Sequence, residues 1–301
     1  MRPEWLRDQD LVFLGKDPQE LRHRDIATRL ATLPNAKLIR CEYDLGTFWA
    51  KLDWDGHVIE GDVREIFSGD LAGRMQGRSI VVDITTLPHP FFLALVNQLK
   101  AIGPKRVYCT YAEPAEYAKI KDGNETQPDL SSGFGTLRVL PSLVQDPAEG
   151  DTLLVSFLGF EGDRLKSLLE NETTARRLLP ILGFPAYRPG WHLRTMLENF
   201  VALRDQENHL PFRAVDASSP FEARNEILNV AAQNKGTAIK VALLGTRPHA
   251  LGALLAHLAM PSIHLIYDHP IEKSRRSEGI ASVHIYDVSR DLGCPKPSGT
   301  P

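Results

Sequence analysis

Two short blocks place small polar residues and a histidine at the mouth of an apolar, helix-periodic stretch. They are Thr85-Thr86-Leu87-Pro88-His89 and Gly245-Thr246-Arg247-Pro248-His249. The first turn of a helix carries unpaired N–H groups and the positive end of the helix dipole, so such a junction can hold an anion. Thr85, Thr86 and Thr246 could add hydroxyls to a phosphate, and Arg247 adds a charge in the second block only. The plain alternative is helix capping by threonine, with proline tolerated in the first turn. A second pair of blocks is Phe13-Leu14-Gly15, followed by Lys16, and Phe157-Leu158-Gly159, followed by Phe160-Glu161-Gly162-Asp163-Arg164. A glycine there allows a tight turn or the close approach of a ligand to the backbone, unless it simply ends a strand. A third pair is Tyr111-Ala112-Glu113-Pro114-Ala115-Glu116 and Tyr267-Asp268-His269-Pro270-Ile271-Glu272. Tyr111 and Tyr267 offer a stacking face and a hydroxyl. Glu113, Glu116 and Glu272 could bind ribose hydroxyls or act as bases, or could merely open helices after strand-ending prolines.

The three pairs run in the same order with drifting separations, as a duplication with loop insertions would leave them. The expected architecture is therefore α/β: two Rossmann-like βαβ halves, residues 1–145 and 151–301, each with a mainly parallel sheet and related by internal duplication. A duplicated unit builds a pseudo-two-fold interface, a favoured place for a ligand. The apolar runs at 10–14, 37–43, 48–54, 57–67, 79–84 and 106–111 read as strands of the first half. Asp55-Gly56 marks a hairpin. Helical spacing covers 18–33 and the stretch after Pro88. In the second half, strands are expected at 152–158, 212–216, 239–244, 262–267 and 283–288. Helices are expected from 162, over 192–204, from the Ser219-Pro220 cap to 232, and over 248–260. Residues 119–136 read as a surface loop, 141–151 as a linker, 183–191 as an ordered irregular loop, and 291–301 as a frayed tail.

Composition narrows the classes. The 301 residues are 43% hydrophobic and 24% charged, which is globular, and the formal charge of −3 gives no strong nucleic-acid signal. Lys273, Arg275 and Arg276 form a local basic spot of the kind usually solvated. Three scattered cysteines, Cys41, Cys109 and Cys294, without a C-x-x-C pair favour reduced thiols, and with no apolar leader or membrane-length run a cytoplasmic protein is expected. His257, His264 and His269 match no metal-ligand spacing. The Gly133-Phe134-Gly135 stretch is a lone G-x-G, and neither a dinucleotide fingerprint nor a P-loop occurs, so no cofactor is indicated. No G-x-S-x-G nucleophile elbow occurs.

A strand, then Gly-Thr-x-Pro-His, a helix, a further strand and Tyr-x-x-Pro together resemble CARF domains, the CRISPR-associated Rossmann-like sensors of cyclic oligoadenylates in bacterial defence. The resemblance covers about half of the chain. It implies that the loop after the first strand and the Gly-Thr loop after a later strand line the ligand site. Here those are Gly159 to Arg164 with Gly245 to His249, and Gly15-Lys16 with Thr85 to His89. The Gly-Gly-Thr-Lys form of that loop is replaced by Leu244-Gly245-Thr246-Arg247. The leading expectation is a nucleotide-binding sensor or regulatory subunit, its ligand a nucleotide or other phosphorylated small molecule, its partner a protein carrying an effector activity. Arg164 and Arg247 would neutralise phosphate and Tyr111 or Tyr267 would stack on a base. The rivals are an enzyme on a nucleotide or sugar phosphate, with Asp83, Glu113 or Glu272 as general base, and a ligand-free adaptor in a larger assembly.

Overall fold

The computed structural model describes residues 11–16, 20–32, 36–117, 119–122, 125–128, 130–133, 138–140, 143, 151–206, 208–273 and 277–295. Most of the expected linker, Phe134-Gly135, Arg275-Arg276 and the last residues of the expected tail lie outside them. In chain order the elements begin with β1 (Leu11–Gly15), α1 (Leu21–Ala31), β2 (Lys37–Tyr43), β3 (Trp49–Trp54), β4 (His57–Asp62), α2 (Gly69–Met75), β5 (Ser79–Asp83), α3 (His89–Ile102) and β6 (Arg106–Tyr117). Short strands follow: β7 (Lys119–Asp122), β8 (Glu125–Pro128), β9 (Ser131–Gly133) and β10 (Arg138–Val139). The second series is β11 (Thr152–Phe157), α4 (Gly162–Asn171), β12 (Arg177–Gly183), α5 (Trp191–Arg204), β13 (Arg213–Val215), α6 (Pro220–Gln233), β14 (Ala238–Leu243), α7 (Arg247–Ala259), β15 (Ile263–Tyr267), β16 (Ile271–Glu272) and β17 (Ser277–Asp287).

The first sheet has the order β17-β6-β5-β1-β2-β3-β4, and the second β10-β15-β14-β11-β12-β13. The run β6-β5-β1-β2 is parallel, and β3 and β4 add an antiparallel edge. The run β15-β14-β11-β12-β13 is parallel, with β10 antiparallel at its edge. In each sheet the chain leaves the first strand to one side and later returns to its other side. Thus β5 beside β1 and β14 beside β11 hold equivalent positions.

The sequence explains the layering. Every residue of β1 and β11 is buried, as strands covered by helices on both faces require. Val12 and Leu14 pack with Ile26, Ala27 and Leu30 of α1, while Phe13 meets Phe67 on the other face, and Phe67 meets Phe91 of α3. In the second sheet, Leu154 and Ala242 pack with Leu165 and Leu168 of α4 and Ala202 and Leu203 of α5. By contrast β3 alternates buried positions with exposed or half-buried ones, as befits the sheet margin. Asp55 and Gly56 turn the β3–β4 hairpin, both at positive φ.

The structure differs from the sequence reading in several places: the strand expected at 57–67 ends at Asp62, and helix α2 follows where no element was expected. The stretch expected as a surface loop contains the β7–β8 hairpin. The strand β12 had no separate signal in that reading. The last strand begins at Ser277 and belongs to the first sheet beside β6, where the Val288 N–H donates to the Val107 carbonyl at 3.0 Å. The chain divides into two compact units, Met1–Glu116 with Ser277–Pro301, and Tyr117–Arg276. The cause of the last strand's placement is edge pairing: β6 is long, largely buried and otherwise open on that side. Among the described residues, no helix is long and apolar enough to cross a membrane.

Candidate functional site

In an open parallel sheet a ligand cleft forms at the carboxyl ends of the strands where the chain reverses its direction of winding. In the first unit that point lies between β1 and β5, and in the second between β11 and β14. The loops singled out from sequence leave those four strand ends.

In the first unit the loop after β5 is held by one carboxylate. Asp83 accepts bonds from the Thr85 N–H (3.3 Å), the Thr86 N–H (3.1 Å), the Thr86 hydroxyl (2.6 Å) and the Thr110 hydroxyl (3.1 Å). Burial raises the Asp83 pKa, opposed by these donors. The Thr86 Oγ1 in turn accepts the Gly15 N–H at 2.8 Å, and the Thr85 Oγ1 accepts the Ala112 N–H at 2.8 Å. The chain passes so close that a Cβ on Gly15 would lie 2.7 Å from the Thr86 carbonyl oxygen, which is why that position is glycine. Both threonine hydroxyls thus tie the loop to neighbouring strands, Thr86 to the end of β1 and Thr85 to β6. Asp83, fully enclosed, is a clamp and cannot touch a substrate as a base.

Lys16 bonds through its backbone N–H to the Cys41 carbonyl and through Nζ to Glu42 at 2.6 Å, at a partly exposed position. His89 opens α3 and packs its ring near Phe92. Tyr111 is buried. Its ring lies under the Arg22 guanidinium, 5.8 Å from the centroid, and beside His284. Arg22, Glu20, His23 and Ser277, a buried polar cluster, were not singled out by the sequence. Arg22 donates to Ser277 and to the Ala112 carbonyl, and Ser277 donates to Glu20. Their signal was faint: charged residues at buried positions of α1 break its amphipathic pattern.

The second unit repeats much of this with different atoms. A Cβ on Gly159 would lie 2.3 Å from the Leu244 carbonyl oxygen. The Gly159 carbonyl accepts the Asn199 amide at 2.7 Å, so α5 pins this loop through a side chain the sequence reading passed over. Thr246 caps α7. Its Oγ1 accepts the His249 N–H at 3.2 Å and donates to the Ala217 carbonyl at 2.7 Å. Arg247 is the first residue of α7 and is buried, not the exposed loop charge its position suggested. His249 is buried, with its ring 4.7 Å from Phe157 and Nε2 at 3.0 Å from the Asp216 carbonyl. Nε2 must carry the proton to donate there. Nδ1 is then a bare acceptor, buried without a partner among the described residues, 2.9 Å from where a Cβ on Gly245 would stand. Burial therefore lowers the His249 pKa to about 4, although the Asp216 carbonyl and carboxylate favour the cation.

Arg164 and Tyr267 come together, but not as open recognition groups. Arg164 grips Asp268 with two bonds of 2.7 and 2.6 Å, and its guanidinium stands 6.0 Å from the Tyr267 centroid. Burial would lower the Arg164 pKa, and the bonds and charge of Asp268 more than reverse that. Each unit thus sets an arginine from the helix after its first strand over a tyrosine, Tyr111 in the middle of β6 or Tyr267 at the end of β15. Of the remaining carboxylates, the Glu113 Oε2 accepts the Ser282 hydroxyl at 2.7 Å and meets the His284 Nε2 at 3.0 Å. Serine and histidine share one carboxylate oxygen and one ring nitrogen meets both, so no proton relay of the Ser-His-acid kind is formed. The Glu272 side chain lies outside the described residues.

Fold and loop geometry define a mixed α/β protein with two mainly parallel, Rossmann-like sheets and a ligand-type switch point in each. No protein-family model matches the chain. No curated protein matches it either. Among solved structures, one that it is similar to is described as the structure of a Type III CRISPR defence DNA nuclease activated by cyclic oligoadenylate. The TM-score is 0.29 and the identity 11%, over 85% of this chain and 52% of that one. The chain therefore spans about half of that nuclease's length.

Proposed function

We propose that the protein is a nucleotide-binding sensor or regulatory component, built from two copies of one ancestral unit, with ligand seated at the switch points. The observation that carries the reading is the matched pair of crowded crossings, Gly15 against Thr86 and Gly159 against Leu244. At both, a strand-end glycine lets the main chain run hard against the loop that opens a helix, the close backbone approach that a ligand site at strand ends uses. The threonines, Arg164, the tyrosines and, in the first unit, the N–H groups of Gly15, Lys16, Thr85 and Thr86 serve to hold those loops, so the cation proposed to meet phosphate is the partly exposed Lys16, which would exchange Glu42 for it. A protein partner with effector activity, a role in bacterial defence and a cytoplasmic setting belong to the same reading. A base catalyst is less well supported, because Asp83 is sealed and Glu113 is committed to Ser282 and His284.

The test is a panel of mono-, di- and cyclic oligonucleotides, read by thermal stability. A ligand selective for the native state at 100 times its Kd stabilises by about 2.7 kcal/mol. The best ligand should bind Lys16→Met roughly tenfold or more weakly, the scale of one lost bond to a charged group. No shift with any nucleotide would sink the proposal.

A further inference from the structure

The helix α5 carries two faces of opposite character. Inward, Thr195, Asn199, Ala202 and Leu203 are buried, and a Cβ on Gly162 would collide with the Glu198 carbonyl oxygen. Outward, Leu193 is 56% exposed, Met196 38%, Leu197 75%, Phe200 58% and Val201 51%. These follow i, i+3, i+4, i+7 and i+8, the spacing of a core-facing stripe, yet they face solvent. Phe184, 49% exposed, lies beside the first turn with its ring 5.0 Å from His192. Single exposed leucines are ordinary, but a continuous stripe along a whole helix marks an interaction surface.

We propose that this face is where a second copy of the chain docks, α5 against α5, antiparallel about a two-fold axis at Leu197. Three features select a second copy. Leu197 stands at the middle of the Trp191–Arg204 helix, so a two-fold axis there lays the stripe on itself, Leu193 against Val201, as an isologous contact requires. The flank is self-complementary in charge: Arg194 and Glu198, 3.4 Å apart, border the stripe, and the antiparallel arrangement brings each toward its opposite on the partner copy. The area also suffices. With about 150–250 Å² for a large side chain, the stripe and Phe184 expose roughly 600 Å² per copy, so the pair hides roughly 1,200 Å², at the threshold of a specific interface. The inner face of the same helix holds the Gly159 loop through Asn199, so the docked pair would brace the second switch point from behind.

The experiment is sedimentation velocity of the full chain across roughly 1–100 µM, where a dimer of moderate affinity titrates. Leu197→Glu sets two carboxylates against each other at the axis and should weaken self-association at least about 30-fold, the effect of losing a central anchor. Arg194→Glu should also weaken it, and Arg194→Glu with Glu198→Arg should restore it. Circular dichroism should be unchanged for Leu197→Glu, since Leu197 is 75% exposed, and its thermal unfolding should match wild type at concentrations where both are monomeric. A monomer at the highest concentration, a dimer indifferent to Leu197→Glu, or a face that captures only a different protein would each overturn the proposal.

Discussion

His249 makes the stability of the second unit depend on pH in a calculable way. Its ring is buried against Phe157, Nε2 is spent on the Asp216 carbonyl, and a proton added at Nδ1 would find no acceptor. The folded-state pKa is therefore near 4, below the ordinary value of 6.5. A base with a depressed folded pKa is protonated first in the unfolded chain. Below pH 6.5 the unfolded state binds more protons, and stability falls as pH falls until the folded pKa is reached. The linkage gives a loss of about 2 kcal/mol between pH 7 and pH 5, and about 3 kcal/mol by pH 4. The perturbation is His249→Gln, which keeps an amide donor for Asp216 but cannot titrate. Urea unfolding of both proteins at pH 7, 6, 5 and 4 gives the assay, with hydrogen exchange in β14 and α7 to locate the effect. The difference between the two proteins cancels every other titrating group. Wild type should be the more stable at neutral pH, and the gap should shrink by about 2 kcal/mol on going to pH 5. A gap that stays constant with pH would refute the reasoning and mean that the Nδ1 proton is accommodated.

Other perturbations separate pinning from packing. Asp83→Ala should cost about 3 kcal/mol or more and lower the melting temperature of the first unit, because four donors lose their acceptor in a sealed site. Gly159→Ala should destabilise by about 1–3 kcal/mol, since its methyl would strike the Leu244 carbonyl. Gly73→Ala, in helix α2 with open space around it, should instead be neutral or stabilise by up to about 1 kcal/mol, and denaturant midpoints compare the two. Arg164→Leu should cost about 3–5 kcal/mol by leaving Asp268 buried and unpaired, and Asp268→Asn in the same background should recover part of it.

Local chemistry made much of the fold legible. The mostly apolar runs of β1, β5 and β11 announce strands covered on both faces, Asp55-Gly56 announces its hairpin, and Ser219-Pro220 announces the start of α6, where the Ser219 hydroxyl accepts the Glu222 N–H. The loops at the switch points were legible too, because glycine and threonine at strand ends answer to local backbone geometry. Their side-chain assignments were not. The hydroxyls of Thr86 and Thr246 and the fork of Arg164 looked available because Gly15, Ala217 and Asp268, which engage them, come from loops or strands that only folding brings alongside. The same holds for the last strand. Its residues mark 283–288 as extended, but the longer run from Ser277 and its edge pairing with β6, about 170 residues earlier, are a long-range choice that no local signal encodes. Helix α5 gives the converse case. Its stripe of Leu193, Leu197 and Phe200 has the period of a buried face, and period alone fixes only that one side is apolar. Which side meets the sheet was decided by the tertiary fold, through Asn199 reaching Gly159 and the close approach at Gly162.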